Sequence, residues 1–281
     1  MKLKYYGTGA GYGIPEIFCD CRVCRQARDT GGKNIRSRSQ AVLDDRLVLD
    51  LSVDTFHHCA YDGLDMTKLH HVLITHDHHD HFFTTDMFTR ARNMTEPVNI
   101  YISEASGKRV RNIVNTNLAE FEAGTRDPEA WTRAVVHTLE FYKPVQIMEY
   151  TVTPLRARHA EAIEAMIFII QSKDKNILWA HDTGLLHSDA VQWIKESGIV
   201  FDLVSLDCTL KRGAQITKSH MDLDWCIETA ELLRANGNAS EETKFIISHI
   251  GHLVDRTHDE LEREAAEVGM ITAYDGMVIE F

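Results

Sequence analysis

Short apolar runs separated by polar loops recur along the chain, and such runs are typical of β-strands. The runs that predict strands are Lys2–Tyr6, Ala41–Leu43, Leu47–Leu49, Val72–Ile74, Val98–Ile102, Ala165–Ile170, Ile177–Trp179, Leu203–Leu206, Phe245–Ile247 and Met277–Ile279. Helical patterns lie at Cys21–Arg28, Asp86–Arg92, Asp189–Lys195, Asp222–Arg234 and Asp255–Glu267. The last helix would have Asp255 as its N-cap and Gly269 as its C-cap. Strands dominate early and alternate with helices later, so the pattern predicts an α/β sandwich of two sheets covered by helices.

A polar segment at about residues 104–144 interrupts this pattern with Arg-, Glu- and Asn-rich helical stretches and weak strand character. We predict a single domain over residues 1–281, with this segment as a helical insertion over one edge. The insertion would act as a lid or as the contact of a homodimer. The alternative is a solvated helical excursion without a role of its own.

The amino-acid composition and charge of the chain exclude several classes of protein. Apolar residues make up 44% of the 281 residues, which is enough for a real core. Lys and Arg number 30 against 42 Asp and Glu, and this net charge of −12 makes the chain a poor general binder of nucleic acid. The chain has no apolar run of about 18 residues, so no membrane span is predicted. Met1–Gly9 lacks a signal-peptide pattern, so we expect a cytoplasmic protein.

The strongest chemical signal is the segment Thr75–His81, which contains four His and two Asp after an apolar strand. His76 and His78 are two positions apart and would point to the same side of an extended segment. Asp80 and His81 follow where a turn could direct them toward a second ion. Neutral imidazoles and carboxylates are ligands for Zn, Mn and Fe, so the segment predicts a metal centre.

Three further ligand-type residues follow apolar runs elsewhere in the chain: His159, Asp182 and His249. Each is ambiguous alone, because a lone His often faces solvent and Asp-Thr-Gly is a common turn. The repetition of strand and then ligand predicts that all three join the cluster at His76–His81 in a dinuclear site.

Cys19, Cys21 and Cys24 lie within six positions. Thiolates at this spacing can bind one tetrahedral zinc ion, although the spacing does not identify a fourth ligand. A disulfide is the alternative, and it is disfavoured in a cytoplasmic protein. Cys59, Cys208 and Cys226 are predicted to be ordinary core residues.

The glycine-rich opening at residues 7–13 predicts a tight turn beneath the metal site rather than a phosphate cradle, because no Lys-Ser/Thr follows it. Arg36 and Arg38 would either contact a phosphate or lie in a solvated loop.

The pattern His-x-His-x-Asp-His, followed by His159, Asp182 and His249, resembles the metallo-β-lactamase superfamily of dinuclear hydrolases. The early Cys-x-Cys-x-x-Cys, His220 and the Ser-His-Ile-Gly-His at 248–252 make it similar to the phosphoribosyl cyclic phosphodiesterases of the bacterial phosphonate carbon–phosphorus lyase pathway. The resemblance extends over nearly the whole chain. It implies an αββα sandwich of two mixed sheets flanked by helices.

The resemblance also implies a ligand set. One ion would be held by His76, His78 and His159, the other by Asp80, His81 and His249, and Asp182 would bridge them together with a hydroxide. A structural zinc ion would be held by Cys19, Cys21, Cys24 and His252.

The expected chemistry is hydrolysis of a phosphodiester. Two divalent ions, Mn or Zn, lower the pKa of a bridging water and neutralise charge on the phosphate. Asp80 and Asp182 would orient the metals and the nucleophile. The resemblance makes His220 the acid that protonates the leaving alkoxide; alternatively, it is only a histidine at a helix start. Asp207 would orient a histidine from outside the ligand set.

We therefore predict a metal-dependent phosphodiesterase acting on a small-molecule substrate with a cyclic or ribose-linked phosphate ester. A transfer-RNA 3′-processing endonuclease would use the same ligands, but the net charge of −12 argues against it. A lactone or thioester hydrolase on the same fold is a further alternative. A non-catalytic relative is also conceivable, although its usual mark is a broken His-x-His-x-Asp-His and here the motif is intact.

Overall fold

The computed structural model describes residues 1–86, 94, 96–120, 134–214 and 219–281, and within residues 113–120 it describes the backbone only. The strands are β1 Lys2–Gly7, β2 Gln40–Leu43, β3 Leu47–Leu49, β4 His71–Leu73, β5 Val98–Ser103, β6 Ala134–Leu139, β7 Val145–Ile147, β8 Tyr150–Arg156, β9 Met166–Gln171, β10 Asn176–Ala180, β11 Phe201–Asp207, β12 Ala239–Ser248, β13 Met270–Thr272 and β14 Val278–Glu280. The helices are α1 Arg22–Thr30, α2 Thr55–Tyr61, α3 Glu104–Glu120, α4 Ser188–Ser197, α5 Leu223–Ala235 and α6 His258–Glu267. The helix predicted at Asp86–Arg92 lies outside the described residues beyond its first position.

The strands form two mixed sheets, each of seven strands within the described ranges. The first sheet has the order β14-β1-β2-β3-β4-β5-β6, and the second has the order β13-β12-β11-β10-β9-β8-β7. In the first sheet β3, β4, β5 and β6 are parallel, and in the second β10, β11, β12 and β13 are parallel. The carboxyl ends of parallel strands share one edge of a sheet, which is where loops can build a site.

Apolar side chains fill three layers of core. Between the sheets, Tyr5 of β1 stacks on Trp179 of β10 with ring centroids 5.8 Å apart. The outer face of the second sheet packs against α1, α4, α5 and α6, which contribute Ala27, Ile194 and Leu233, among others. The outer face of the first sheet is covered by apolar residues that include Val110 of α3. Since burying one large apolar side chain stabilises by about 1.5–3 kcal/mol, these layers hold the αββα sandwich together, and the predicted fold class is confirmed.

Four strands are missing from the predicted set: β6, β7 and β13 are edge strands, whereas β8 is an inner strand that the sequence marked only as the apolar run before His159. An edge strand buries less of its surface than a central one, so its apolar pattern is weak. The burial of β6 shows this, because only its last residue, Leu139, is buried. Helix α2 was also not predicted, and Cys59 on it is exposed. The prediction that Cys59 is a core residue is therefore wrong, whereas Cys208 and Cys226 are buried as predicted.

Helix α6 begins later than predicted. Its N-cap is Thr257, whose hydroxyl accepts from the backbone N–H of Glu260, while the Glu260 carboxylate accepts from the Thr257 N–H at 2.9 Å. This reciprocal pair of hydrogen bonds satisfies two backbone N–H donors, whereas the side chain of a single N-cap Asp would satisfy only one of them. Asp255 lies outside the helix with φ 55°. The helix ends at Glu267 with Val268 as its C-cap, one residue before the predicted C-cap Gly269, whose φ is 72°.

The predicted insertion at 104–144 includes α3 and the strand β6, which pairs in parallel with β5. This part of the segment is thus a strand–helix–strand unit of the first sheet, and residues 121–133 lie outside the described residues. Helix α3 has 17 residues, and none of the described helices combines the length and apolar character needed to cross a membrane.

Candidate metal centre

The ligand-type residues lie where strands end. His76 to His81 follow β4, Asp182 follows β10 and His249 follows β12. His159 follows β8 in the loop before β9. The backbone here adopts conformations that regular strands do not, with φ 54° at Asp182 and φ 53° at His249. These turns bring side chains from both sheets to one edge of the sandwich.

The first group of ligands consists of His76, His78, His159 and Asp182. Nε2 of His76 lies 2.8 Å from Nδ1 of His78, and Nε2 of His159 lies 3.3 Å from the same Nδ1. Oδ2 of Asp182 lies 3.2 Å from His76 Nε2. Their ligand atoms all fall within 4.8 Å of one another, which suits a single cation.

The second group consists of Asp80, His81, His249 and again Asp182. Nε2 of His81 lies 3.2 Å from His249 Nε2, 3.3 Å from Asp80 Oδ2 and 3.2 Å from Asp182 Oδ2. The four residues are buried. All seven residues predicted to ligate active-site metals are therefore brought together, and Asp182 belongs to both groups.

The arrangement of these ligand atoms suits bound metal ions better than it suits hydrogen bonds among the side chains. Asp182 Oδ1 is buried and has no hydrogen-bond partner among the described residues, although His159 Nδ1 and His220 Nδ1 are each 3.1 Å away. Burial raises the pKa of Asp182, but the imidazoles of His249, His76 and His81 outweigh burial and hold that pKa well below its ordinary value. An ionised carboxylate surrounded by imidazole nitrogens is a ligand set for divalent transition metals.

Two buried carboxylates orient the ligating histidines. Asp50 Oδ2 lies 2.7 Å from His81 Nδ1, and its other oxygen accepts from the Thr75 N–H at 2.9 Å. Asp207 Oδ2 lies 3.0 Å from His249 Nδ1. Each contact engages the Nδ1 of its histidine and leaves Nε2 facing the ligand cluster. Carboxylates that hydrogen-bond to metal-binding histidines commonly orient them in this way. Asp50 was not among the predicted site residues, although it follows β3 directly, which is the same signal that identified Asp182.

His220 stands at the open side of this cluster. Its Nδ1 lies 3.1 Å from Asp182 Oδ1 and 3.2 Å from Asp207 Oδ2, and its side chain is 22% exposed. Burial lowers the pKa of His220, but the carboxylates of Asp207 and Asp182 outweigh burial and raise the pKa to about 9. Asp207 thus contacts both His220 and His249.

A cavity of about 420 Å³ opens above the cluster. Its lining includes His78, Asp80, His159, Asp182, His220 and His249, with His79, Thr209 and Leu210, and with the loops at residues 10–13 and 251–253. Gly11 lies against the site, since a Cβ there would be 3.2 Å from Asp80 Oδ2. The glycine-rich opening therefore permits a close approach of backbone to the ligand Asp80.

The cysteine cluster is separate from this centre. Cys19 Sγ and Cys21 Sγ lie 3.3 and 3.6 Å from His252 Nδ1, and Cys24 completes a group within 4.8 Å. Burial raises the pKa of Cys21, but the Cys24 backbone N–H and the His252 ring outweigh it and lower the pKa to about 6. Glu16 lies 3.0 Å from His252 Nε2, which directs Nδ1 toward the sulfurs. All three cysteines are free thiols, and their arrangement suits zinc.

The two arginines considered for phosphate binding lie elsewhere. Arg36 is only 4% exposed and donates to the carbonyl of Ala273 at 2.6 Å and toward His258 Nδ1 at 3.0 Å. Arg38 pairs with Asp54 at 3.0 Å. Neither lines the cavity, and Arg36 is not in a solvated loop either, so both expectations for Arg36 were wrong. Its partners come from distant parts of the chain, which no local pattern reveals.

Curated relatives match parts of the chain. Octanoyltransferase of Porphyromonas gingivalis is 36% identical over 83 residues, or 29% of this chain, and the match spans only 16% of the length of that relative. Ribonuclease Z of Pyrococcus horikoshii is 22% identical over 235 residues, which are 78% of this chain and 72% of that protein.

The comparison of folds covers the whole chain. A crystal structure of a new diphosphatase from the PhnP family has a TM-score of 0.74 at 21% identity, covering 100% of this chain and 97% of that chain. The β-lactamase superfamily domain matches residues 45–250, which include every residue of both ligand groups. The chain therefore belongs to the metallo-β-lactamase superfamily of hydrolases.

Proposed function

We propose that this protein is a phosphodiesterase that uses two divalent ions, Mn or Zn, to hydrolyse small cyclic or ribose-linked phosphate esters. The observation that carries the proposal is the position of Asp182, which belongs to both groups of ligands at the base of the cavity. A carboxylate shared by two adjacent groups suits a pair of ions. The fold similarity to a diphosphatase from the PhnP family supports phosphate ester chemistry.

When bound, two such ions would lower the pKa of a water molecule and neutralise the charge of a phosphodiester. The residues of the chain supply the remaining functions. Asp80, in the second ligand group, and Asp182, in both groups, would orient the ions and the attacking water. His220 holds a proton on the cavity side of the cluster, and the carboxylates of Asp207 and Asp182 favour its protonated form. We assign it the transfer of that proton to the leaving alkoxide.

The cavity supports a small substrate. Its volume of about 420 Å³ is typical of small-molecule sites. None of the described residues that line it is Lys or Arg. A polynucleotide needs several basic contacts along its backbone, whereas a single phosphodiester group can be held by the metal centre alone.

We also propose that Cys19, Cys21, Cys24 and His252 hold a structural zinc ion. His252 and Leu253 line the cavity, so an ion at this site would anchor one wall of the substrate pocket. His249, three residues earlier, belongs to the second ligand group, and one loop would thus serve both metal sites.

A second candidate is a ribonuclease of the transfer-RNA 3′-processing kind. The similarity to ribonuclease Z over 78% of this chain favours it. The net charge of −12 opposes it, because it weakens the attraction of RNA.

A hydrolysis panel on the purified, metal-analysed protein tests the proposal. It should compare bis-para-nitrophenyl phosphate, ribose cyclic phosphates, cyclic nucleotides, a precursor transfer RNA, a lactone and an octanoyl thioester. We expect turnover of the small phosphodiesters that depends on added Mn or Zn. His78→Ala and Asp182→Ala should each lose about a hundredfold or more, since even partners outside the ligand set are worth 10–100-fold.

His57→Ala is the matched control, because His57 is exposed on α2 and belongs to neither ligand group. It should keep the wild-type rate. Wild-type rates in His78→Ala and Asp182→Ala would end the proposal of a metal-dependent catalyst. Cleavage of the transfer RNA alone would replace the small-ester substrate with the second candidate, and cleavage of the thioester or lactone alone would replace phosphodiester chemistry with acyl chemistry.

A further inference from the structure

The carboxylate of Asp77 lies between two ligand histidines in sequence but faces away from the metal centre. Neighbouring side chains of an extended segment point to opposite sides, so Asp77 faces α3 while His76 and His78 face Asp182. The Asp77 side chain is only 2% exposed. Two side chains of the helix contact its oxygens: Ser106 Oγ donates to Oδ1 at 3.0 Å, and Arg109 Nε forms an ion pair with Oδ2 at 2.9 Å without the alignment of a hydrogen bond.

The same turn of α3 also holds the loop that carries His159. Ser106 Oγ also lies 2.8 Å from the carbonyl oxygen of Ile163, so its single proton is shared between this oxygen and Asp77 Oδ1. Ser103 Oγ donates to the same carbonyl at 3.1 Å. The backbone N–H of Ala105, in the first turn of the helix, donates to Glu164 Oε2 at 3.0 Å. The start of α3 therefore contacts both loops that supply the first group of ligands, and Ser106 contacts the two at once.

We propose that Asp77, acting with Ser106 and Arg109, is a positioning group that sets the geometry of the site formed by His76, His78 and His159. The inference rests on the proposed metal centre but not on any particular substrate. Ligand distances in metal sites tolerate about 0.2 Å, so a small shift of either loop relative to the other weakens the site. Arg109 is 53% exposed, and solvent screens its long-range field; its effect is exerted through the direct contact with Asp77.

Cobalt binding to the full-length protein tests the proposal. We expect Asp77→Asn and Arg109→Gln to bind Co²⁺ at the histidine centre about tenfold more weakly in chelator competition, in line with other contacts that support metal ligands. The visible absorption of the bound cobalt should change as well. Arg109→Lys, which keeps the charge, should recover part of the affinity. Arg111→Gln is the matched control on the same helix, because Arg111 faces Glu104 at 3.7 Å rather than Asp77.

The thiolate-to-cobalt absorption of the cysteine cluster serves as an internal control and should be unchanged in every variant. Unchanged cobalt affinity and spectrum in Asp77→Asn and Arg109→Gln would overturn the inference. Equal weakening in Arg111→Gln would do so too, as would a lower melting temperature of the metal-free protein without any change in affinity. Should Asp77→Asn fail to fold, Arg109→Gln and Ser106→Ala decide the question. A wild-type protein that binds no ions at the histidines would instead contradict the proposed function.

Discussion

Replacing Arg36 by Met measures how a buried cation ties the glycine-rich opening to the end of the chain. The Arg36 guanidinium donates to Thr8 Oγ1 at 2.7 Å and to the Ala273 carbonyl at 2.6 Å, and it lies 3.0 Å from His258 Nδ1. The Thr8 hydroxyl in turn donates to Asp275 Oδ1 at 2.6 Å. Burial lowers the pKa of Arg36 to about 10, with the Asp275 carboxylate opposing this effect, so Arg36 stays charged at neutral pH.

Met fills much of the same volume but makes none of these three hydrogen bonds. At about 1.5 kcal/mol for each bond from a charged donor, the loss is about 4–5 kcal/mol. Removing one partner from a buried charged network costs about 3–5 kcal/mol by independent measurements on other proteins. We therefore expect Arg36→Met to lower the free energy of unfolding by about 4 kcal/mol, which is a large part of the about 5–15 kcal/mol of a typical domain.

Urea unfolding followed by circular dichroism at pH 7 gives this free energy. The control is Arg46→Met, whose arginine is 56% exposed and pairs with Glu149 at the surface, and it should change stability by less than about 1 kcal/mol. The KM of folded Arg36→Met should equal that of the wild type, because Arg36 does not line the cavity. A stability loss below about 1 kcal/mol together with a raised KM would refute this reasoning. That result would indicate that Arg36 contacts the phosphate of the substrate instead.

Three further outcomes are expected. Asp50→Asn keeps the shape but loses the charge that faces His81 Nδ1 at 2.7 Å, and metal affinity should fall about 10–100-fold by chelator competition; equal affinity would contradict an orienting role. Gly11→Ala should lower activity at limiting metal, since its Cβ would press on Asp80 Oδ2, and excess metal should restore it. Burial lowers the pKa of His58 to about 4, so the unfolded chain takes up a proton below pH 6.5 and the folded chain does not. Stability is full above pH 6.5 and is lost as the pH falls toward 4, by about 2 kcal/mol at pH 5; His58→Gln should lose this component of the pH dependence in urea titrations.

Much of the metal centre could be predicted because its ligands carry local signals. His76 to His81 form a dense run behind an apolar strand, and Asp182 and His249 repeat that arrangement singly. Side-chain alternation in an extended segment depends on neighbouring residues only, which is why the common orientation of His76 and His78 was predictable. Asp50 carries the same signal, yet it was missed because a single Asp after a short strand is also typical of a turn.

Apart from Asp207, which was expected to orient a histidine, the partners of these residues could not be predicted. Asp77 was noted only as part of the histidine-rich run, and its contacts with Ser106 and Arg109 depend on where α3 packs. The N-cap of α6 was misplaced because Asp255 and Thr257 are both good caps by residue type, and the reciprocal bond to Glu260 decides between them. The edge strand β6 was missed because its residues are mostly half-exposed.

The amino-acid sequence by itself determined the alternation of strands and helices, the residues able to bind metal and the family that they indicate. These depend on side-chain chemistry and on spacing along a few residues. Tertiary structure alone decided that Asp50 contacts His81, that Asp77 contacts Ser106 and Arg109, and that Arg36 is buried without lining the cavity. The physical reason is that each of these contacts joins segments far apart in the chain, and only the packing of the two sheets and their helices brings such segments within hydrogen-bond distance.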